Sequence, residues 1–294
     1  MTPPRPGAAA RTLQQALHAA AQQLASDPAL SETARRDAEL LMLHLLSIPR
    51  ATLLANPTRE LNPAQLRSYE TFIARRCLHE PIQYITGVQE FYGLPLMVTP
   101  AVLIPRPETE HLVEAVLSRL SRNRPLRIAD IGTGSGAIAI ALATNLPHAN
   151  LTAVDLSPAA LEVARTNAAA FNLKDRIRFA VSDLLNGLPA EETNEPFDAI
   201  VSNPPYIPSS EAAELHPQVR EYEPVSALFA GPDGLEVYRR LIPQAHKFLK
   251  PNGLLALEIG HSQAETVAGL LAGWNEISFV NDLQSIPRVA LARR

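Results

Sequence analysis

Hydrophobic positions change their period along the chain. From residue 11 to about 85 they recur every three or four residues. Leu13, Leu17, Ala20 and Leu24 share one helix face. Ala34, Ala38, Leu41 and Leu45 share another, behind Ser31, which is placed to cap it. Asn62-Pro63 opens a third helix through Cys77, with the proline in the first turn where its missing N–H costs nothing. Short helices with facing apolar stripes predict a small bundle over residues 1–85. Residues 86–108 break the helical period. Thr86-Gly87, Phe91-Tyr92-Gly93 and Leu96-Met97-Val98 read as a hairpin, and Pro105 and Pro107 stiffen the linker behind it.

From 109 to the end, strands and helices alternate. Strands are expected at 126–132, 150–156, 176–182, 197–203, 253–259, 277–283 and 288–293. The first four are apolar runs such as Phe197-Asp198-Ala199-Ile200-Val201, as when helices cover both faces of a sheet. The last two are joined by a few residues around Pro287. No crossover helix fits there, so that pair must be antiparallel. The expectation is an α/β, Rossmann-like domain over 109–294, built on a mostly parallel seven-stranded sheet.

Composition narrows the classes. The 294 residues are 46% apolar, carry a formal charge of −4 and have a pI near 6.1. That is ample for a sizeable core, and it lacks the basic excess of a general nucleic-acid binder. The pairs Arg35-Arg36, Arg75-Arg76 and Arg239-Arg240 read as solvated helix faces. The lone cysteine, Cys77, excludes an internal disulfide and suits a reducing compartment. It shares its helix face with Leu66, Tyr69 and Ile73 and reads as a packed thiol. No metal-ligand cluster, signal-peptide core or membrane-length apolar run is expected, which points to a cytoplasmic protein.

Asp130-Ile131-Gly132-Thr133-Gly134-Ser135-Gly136 stands where the first parallel strand turns into a helix. Glycines there let the backbone turn tightly and approach a ligand. With Ala137 the segment also satisfies the relaxed dinucleotide fingerprint, so the loop alone does not choose a cofactor. Asp155, ending the second strand, suits the ribose of NAD or of S-adenosyl-L-methionine (AdoMet). Asp130 favours AdoMet. A carboxylate beside the helix N-terminus opposes a pyrophosphate and favours an ammonium and a sulfonium. Its alternative role is to brace the loop. Asp130, Asp155, Asp183 and Asn203 all fall at strand carboxyl ends, where open α/β sheets bind ligands. Asp183 and Leu184 suit an adenine, and a turn aspartate is the equal alternative.

Ser202-Asn203-Pro204-Pro205-Tyr206 closes the fourth strand. Two prolines cannot continue a central strand, so the chain leaves the sheet with fixed φ. Backbone carbonyls and the Asn203 oxygen offer acceptors, and Tyr206 a flat ring. A planar NH2 is a poor nucleophile because its lone pair is delocalised. Acceptors gripping both hydrogens orient it and take up developing positive charge. The lone pair then faces a methyl on an already activated sulfonium, so no metal is required and positioning carries the rate. Alone, the tetrapeptide is also consistent with a strand terminator beside a packed tyrosine.

Gly132–Gly136 with Asn203-Pro204-Pro205-Tyr206 resembles class I AdoMet methyltransferases acting on amino nitrogens. Glu80-Pro81-Ile82-Gln83-Tyr84-Ile85-Thr86-Gly87, Phe91-Tyr92-Gly93 and Ile104-Pro105-Arg106-Pro107-Glu108-Thr109-Glu110 narrow the resemblance. So do Glu221-Tyr222-Glu223-Pro224, Ala230-Gly231-Pro232-Asp233-Gly234 and Leu249-Lys250-Pro251-Asn252-Gly253. Together they resemble the HemK/PrmC type, the peptide chain release factor N5-glutamine methyltransferases. That resemblance implies transfer from AdoMet to the Gly-Gly-Gln glutamine of bacterial class I release factors, and an N-terminal bundle that engages them. It implies cofactor contacts from Asp130, Gly132, Thr133, Gly134, Ser135, Gly136, Asp155, Asp183, Leu184 and Asn203, with the substrate amide against Asn203 to Tyr206. At Leu184 some relatives carry a large aromatic, a departure touching the adenine pocket. The rivals are a ribosomal-protein glutamine methyltransferase, an rRNA or DNA amino-group methyltransferase, an NAD-dependent oxidoreductase and a domain that only binds. Acidic pI weighs against a nucleic-acid substrate.

Overall fold

The computed structural model describes residues 11–189 and 194–294. The chain forms two compact units, residues 1–87 with 216–222 and residues 88–215 with 223–294.

The smaller unit is helical: α1 Leu13–Ala25, α2 Ala34–Leu46, α3 Arg50–Ala55, α4 Pro63–Cys77 and α5 Ile82–Thr86. Side-chain caps start two of its long helices, α1 and α4. Thr12 with Gln15, and Asn62 with Gln65, form reciprocal capping boxes, and Pro63 occupies the first turn of α4. Ser31 does not cap α2. Residues 28–33 form a turn in which the Ser31 hydroxyl donates to Pro28, and α2 starts after Thr33. The six-residue α3 spans less than two turns, too short to show a hydrophobic period in the sequence. Leu13, Leu24, Leu41, Leu66 and Ile73 share one buried cluster.

The Arg75-Arg76 pair is not a solvated face. Arg76 is buried, its Nε 2.7 Å from the carboxylate of Asp37, which is equally buried. Its remaining donors reach the carbonyls of His79 and Glu80. A guanidinium is buried here because three acceptor contacts replace its water, which composition cannot reveal. Cys77 is half-buried and accepts a hydrogen bond from Gln23. Residues 216–222 also belong to this unit. Their helix (α9 in chain order, Pro217–Tyr222) carries Tyr222, whose hydroxyl donates to Leu78.

The larger unit begins with the hairpin β1 Val88–Phe91 and β2 Leu94–Met97. Its turn residues, Tyr92 and Gly93, both have positive φ, the geometry of a tight primed turn. In this division the hairpin and residues 98–108 fall with the larger unit. Phe91 and Leu96 are fully buried in the core of the larger unit, and Asn167 bonds both backbone groups of Met97.

The remaining elements are α6 Glu110–Leu117, β3 Leu126–Ile131, α7 Ala137–Asn145, β4 Ala149–Asp155, α8 Pro158–Ala170, β5 Ile177–Val181 and β6 Phe197–Ser202. After α9 come α10 Glu236–Phe248, β7 Leu249–Glu258, α11 Ala264–Leu270, β8 Asn275–Asn281 and β9 Pro287–Arg293. The sheet order is β5-β4-β3-β6-β7-β9-β8. Pairs are parallel from β5 to β7, and β9 runs antiparallel to both β7 and β8. The inferred antiparallel pair is therefore present, inserted between β7 and β8. Central β6 is buried along its whole length, and α7 is buried over Ala137–Ala143. The order reverses between β3 and β4 on one side and β6 on the other. Strand carboxyl ends there open a crevice, because crossover connections leave in opposite directions.

Candidate active site

The Gly132–Gly136 loop caps β3. Gly132 and Thr133 both donate to Val154 O at 2.9 Å, and Gly134 donates to the Asp155 carboxylate at 2.9 Å. Gly132, Gly134 and Gly136 all have positive φ. A Cβ on Gly132 or Gly134 would meet nothing within 4 Å, so the backbone faces open space where a ligand can approach. At Gly136 the need is packing, since a Cβ there would lie 3.2 Å from Ala164 on α8.

A cavity of about 190 Å³ opens on this loop. Gly132, Gly134, Asp155, Asp183, Leu184, Asn203 and Pro205 all line it. Three of those positions come from the ends of β3, β4 and β6, which the parallel pairing sets side by side. Asp155 also accepts from Ser157 N, so its carboxylate is held from two sides. Asp183 is half-exposed and pairs with Arg240, which lines the same cavity. Arg240 is thus not a bland solvated cation. Leu184 has φ +57°, and the Ser182 hydroxyl donates to its carbonyl at 2.6 Å.

Other expected residues lie behind the cavity wall. Asp130 is wholly buried. One carboxylate oxygen accepts from the Thr133 hydroxyl at 2.7 Å and from Ala139 N at 3.1 Å, which braces the loop. The other oxygen has no hydrogen-bond partner among the described residues. Burial pushes this carboxyl up to about 7, against the opposing effect of those two hydrogen bonds. Thr133 and Ser135 are buried, the latter with its carbonyl taken by Asn167. Pro204 and Tyr206 are not among the cavity-lining residues. The half-buried Tyr206 ring packs on the sheet's second apolar cluster, and burial raises its hydroxyl pKa.

The tetrapeptide is held from several directions. Ser202 donates to Ile131 O at 2.6 Å, fixing the strand end. Beyond the tetrapeptide, Ile207 bridges Phe229. Gln263 donates to Tyr206 O at 2.9 Å, and Gly234 packs against the same carbonyl. The Asn203 side-chain nitrogen donates to the Thr109 hydroxyl at 3.0 Å, which leaves its oxygen as the free acceptor.

Residues 15–87 match the family model described as PrmC N-terminal domain, and 109–217 match the Methyltransferase small domain. A release factor glutamine methyltransferase of Koribacter versatilis is 46% identical over 283 residues, covering 96% of this chain and 99% of the relative. Another, of Moorella thermoacetica, is 48% identical over 259 residues, covering 88% and 89%. The chain belongs to the release factor glutamine methyltransferase family. It is an α/β methyltransferase of class I. The crystal structure of the hMettl16 catalytic domain, in complex with an MAT2A 3'UTR hairpin, shares the fold. Its TM-score is 0.54 at 18% identity, covering 80% of this chain and 84% of that one. A methyl donor of the AdoMet type goes with this fold.

Within this family member, Asn167, Thr109, Glu223, Glu258 and Gln263 were not singled out as functional from sequence. Glu223 accepts from Ile104 N and pairs with Arg106, so it ties the Ile104–Pro107 segment to the segment entering the cavity at Pro224. Burial raises its carboxyl despite the Arg106 charge. A buried carboxylate or amide in an apolar strand is a signal in itself, because such a group persists only with a partner. Glu258, the polar terminus of the apolar run Leu254–Leu257, carries that signal.

Proposed function

We propose that the chain binds AdoMet in this cavity and methylates the side-chain amide nitrogen of the Gly-Gly-Gln glutamine in bacterial class I release factors. The carrying observation is that Asn203 lines the same cavity as Gly132, Gly134 and Asp155, with its amide oxygen left free to accept. The residues present fit AdoMet. The open backbone of Gly132 and Gly134 can approach the amino-acid end, Asp155 can accept from a ribose diol, and Asp183 with Leu184 can meet an adenine edge and face. Asp130 supports the cofactor indirectly by holding the loop. When bound, AdoMet supplies a methyl on a positively charged sulfur.

Asn203 accepts one hydrogen of the substrate NH2, and a tetrapeptide carbonyl accepts the other. The nitrogen lone pair is thereby aimed across the cavity. Methyl transfer to this nitrogen would place positive charge on it. The acceptors stabilise that charge until one proton leaves to solvent. Pro204 and Pro205 hold the acceptors rigidly, so little reorganisation is needed. The helical unit, matching the PrmC N-terminal domain, is the release-factor docking element in this reading.

The test is incubation with labelled AdoMet and purified release factor, ribosomal proteins and rRNA, followed by mass mapping. Label is expected on the Gly-Gly-Gln glutamine. Asn203→Ala should lower turnover by about 10²-fold or more while leaving AdoMet affinity within a few-fold. Label on RNA, or near-normal turnover in the variant, would overturn the assignment.

A further inference from the structure

Two stretches distant in sequence line the cavity: Ala101, Val102 and Leu103 behind the hairpin, and Gly132 and Gly134 in the glycine loop. One buried side chain ties the chain beside the first to the chain beside the second. Asn167, on α8, is 2% exposed and is not among the cavity-lining residues. Its amide oxygen accepts from Met97 N at 2.7 Å. Its amide nitrogen donates to Met97 O and to Ser135 O, each at 2.9 Å. These partners fix the orientation of the amide. A backbone N–H only donates and a carbonyl only accepts, so the oxygen must face Met97 N and the nitrogen the two carbonyls. Asparagine matches that set with one acceptor and a two-hydrogen donor. Ionised aspartate lacks the donor, and leucine, of similar size, lacks both.

On the loop side the tie acts on one peptide plane. The Ser135 carbonyl is held by Asn167. The Gly136 N–H, at the other end of the same plane, donates to Thr133 O at 2.8 Å. Gly136 has φ +82°, and a glycine there would otherwise let the plane turn freely. With both ends bonded, the plane cannot rotate without breaking a hydrogen bond. One turn earlier on α8, Ala164 packs under Gly136, so the same helix meets the loop twice.

On the hairpin side, Met97 pairs with Val88 in a two-stranded sheet, so no third strand receives its N–H and C=O. Asn167 takes the place of that strand. Beyond Met97 the chain turns at once, with Val102 N donating to Thr99 O at 3.1 Å. Val98 and Val102 are both 1% exposed. Ile104 N is then held by Glu223 at 3.3 Å. Residues 101–103 are thus strung between two tied points, Met97 and Ile104.

We infer that Asn167 is a positioning residue for the cofactor: by bonding Met97 and Ser135 together, it holds residues 101–103 and the glycine loop at the spacing that AdoMet requires. Satisfying the hairpin edge alone would need no bond to Ser135. The inference rests on the reading of this cavity as the AdoMet site, and the test separates the two.

Wild type, Asn167→Leu and Leu126→Ala are compared. Leu126 begins β3 at the end away from the glycine loop and is 2% exposed, so its truncation lowers stability without touching the cavity. AdoMet Kd is measured by calorimetry below the melting temperature of every protein. Steady-state methyl transfer supplies KM and kcat. Without the tie, the two stretches should be correctly spaced in about a tenth of molecules or fewer, raising Kd and KM for AdoMet about 10-fold or more. Saturating AdoMet selects the correctly spaced molecules, so kcat should stay within about 3-fold of wild type. Leu126→Ala should melt lower yet bind AdoMet within about 2-fold of wild type, as a site remote from the cavity. Should Asn167→Leu not fold, Asn167→Ser, whose side chain is too short to reach both carbonyls, carries the same expectation. The inference is overturned if a folded Asn167 variant binds AdoMet like wild type, or if its loss lies in kcat alone. It is equally overturned if Leu126→Ala loses as much affinity. Wild type that binds no AdoMet overturns the cofactor reading and this inference with it, whereas normal wild-type binding beside unchanged variants overturns the inference alone.

Discussion

Substituting Gly234 by alanine probes the support beneath the tetrapeptide. Gly234 has φ +72°, and an added Cβ would stand 2.2 Å from the Tyr206 carbonyl oxygen and 2.9 Å from Gln263 Nε2. Contacts under 3.0 Å are essentially never found for real Cβ atoms, so the carbonyl or Gly234 must retreat by about 0.8 Å or more. Gln263 cannot absorb this by swinging away. Its amide is held by Gly260 N and by the carbonyls of Tyr206 and Gly234. Left-handed backbone costs an alanine about 1–2 kcal/mol. Overpacking of a filled site adds about 1–3 kcal/mol. The sum is a large fraction of a typical domain stability of about 5–15 kcal/mol, yet leaves a folded population. The functional effect is sharper. A shift approaching 1 Å in a positioning group costs on the order of 10²-fold in rate. The assay is single-turnover methyl transfer to release factor, with thermal unfolding and AdoMet calorimetry on the same samples. The expected result is a lower melting temperature, near-normal AdoMet affinity and about 10²-fold slower transfer. Gly269→Ala is the control, since φ there is not positive and its Cβ would meet nothing within 4 Å. Normal turnover in a folded Gly234→Ala protein would refute the view that this carbonyl's position governs the grip.

Replacing Asp37 by alanine strands a buried guanidinium. It should destabilise the helical unit by about 3–5 kcal/mol in denaturant unfolding, and a loss under about 1 kcal/mol would show that water reaches Arg76. Asp130 and Glu258 both have folded pKa values raised to about 7, above their ordinary 3.8 and 4.5. The folded state therefore holds protons that the unfolded state has released, so their contribution to stability falls as pH rises from about 4 to about 7. The difference in unfolding free energy between wild type and Asp130→Asn, measured across that range, should fall with rising pH. A flat or rising difference would contradict the burial argument.

Much of the architecture is legible from local pattern. A period near 3.6 marked the bundle, and apolar runs marked the parallel strands. The few residues around Pro287 forced an antiparallel pair, because no crossover fits in so short a connection. Where that pair would sit was not legible: β9 enters between β7 and β8 through contacts that no local pattern encodes. The glycine loop and Asn203-Pro204-Pro205-Tyr206 announced themselves because φ freedom and φ restriction are properties of single residues. The roles of polar side chains were different. Asp130, Asp155, Asp183 and Asn203 look alike as strand-end residues, yet Asp155, Asp183 and Asn203 line the cavity while Asp130 faces inward to Thr133 and Ala139. Arg75 and Arg76 are adjacent in sequence, but Arg76 is buried on Asp37. Thr109 gave no local sign, and Glu258 only that of a polar residue closing an apolar run. Sequence fixes what a residue can donate, accept or permit in its own backbone. Which partner answers it, and whether water is present to compete, is set by segments tens of residues away, and only the folded sheet brings those together.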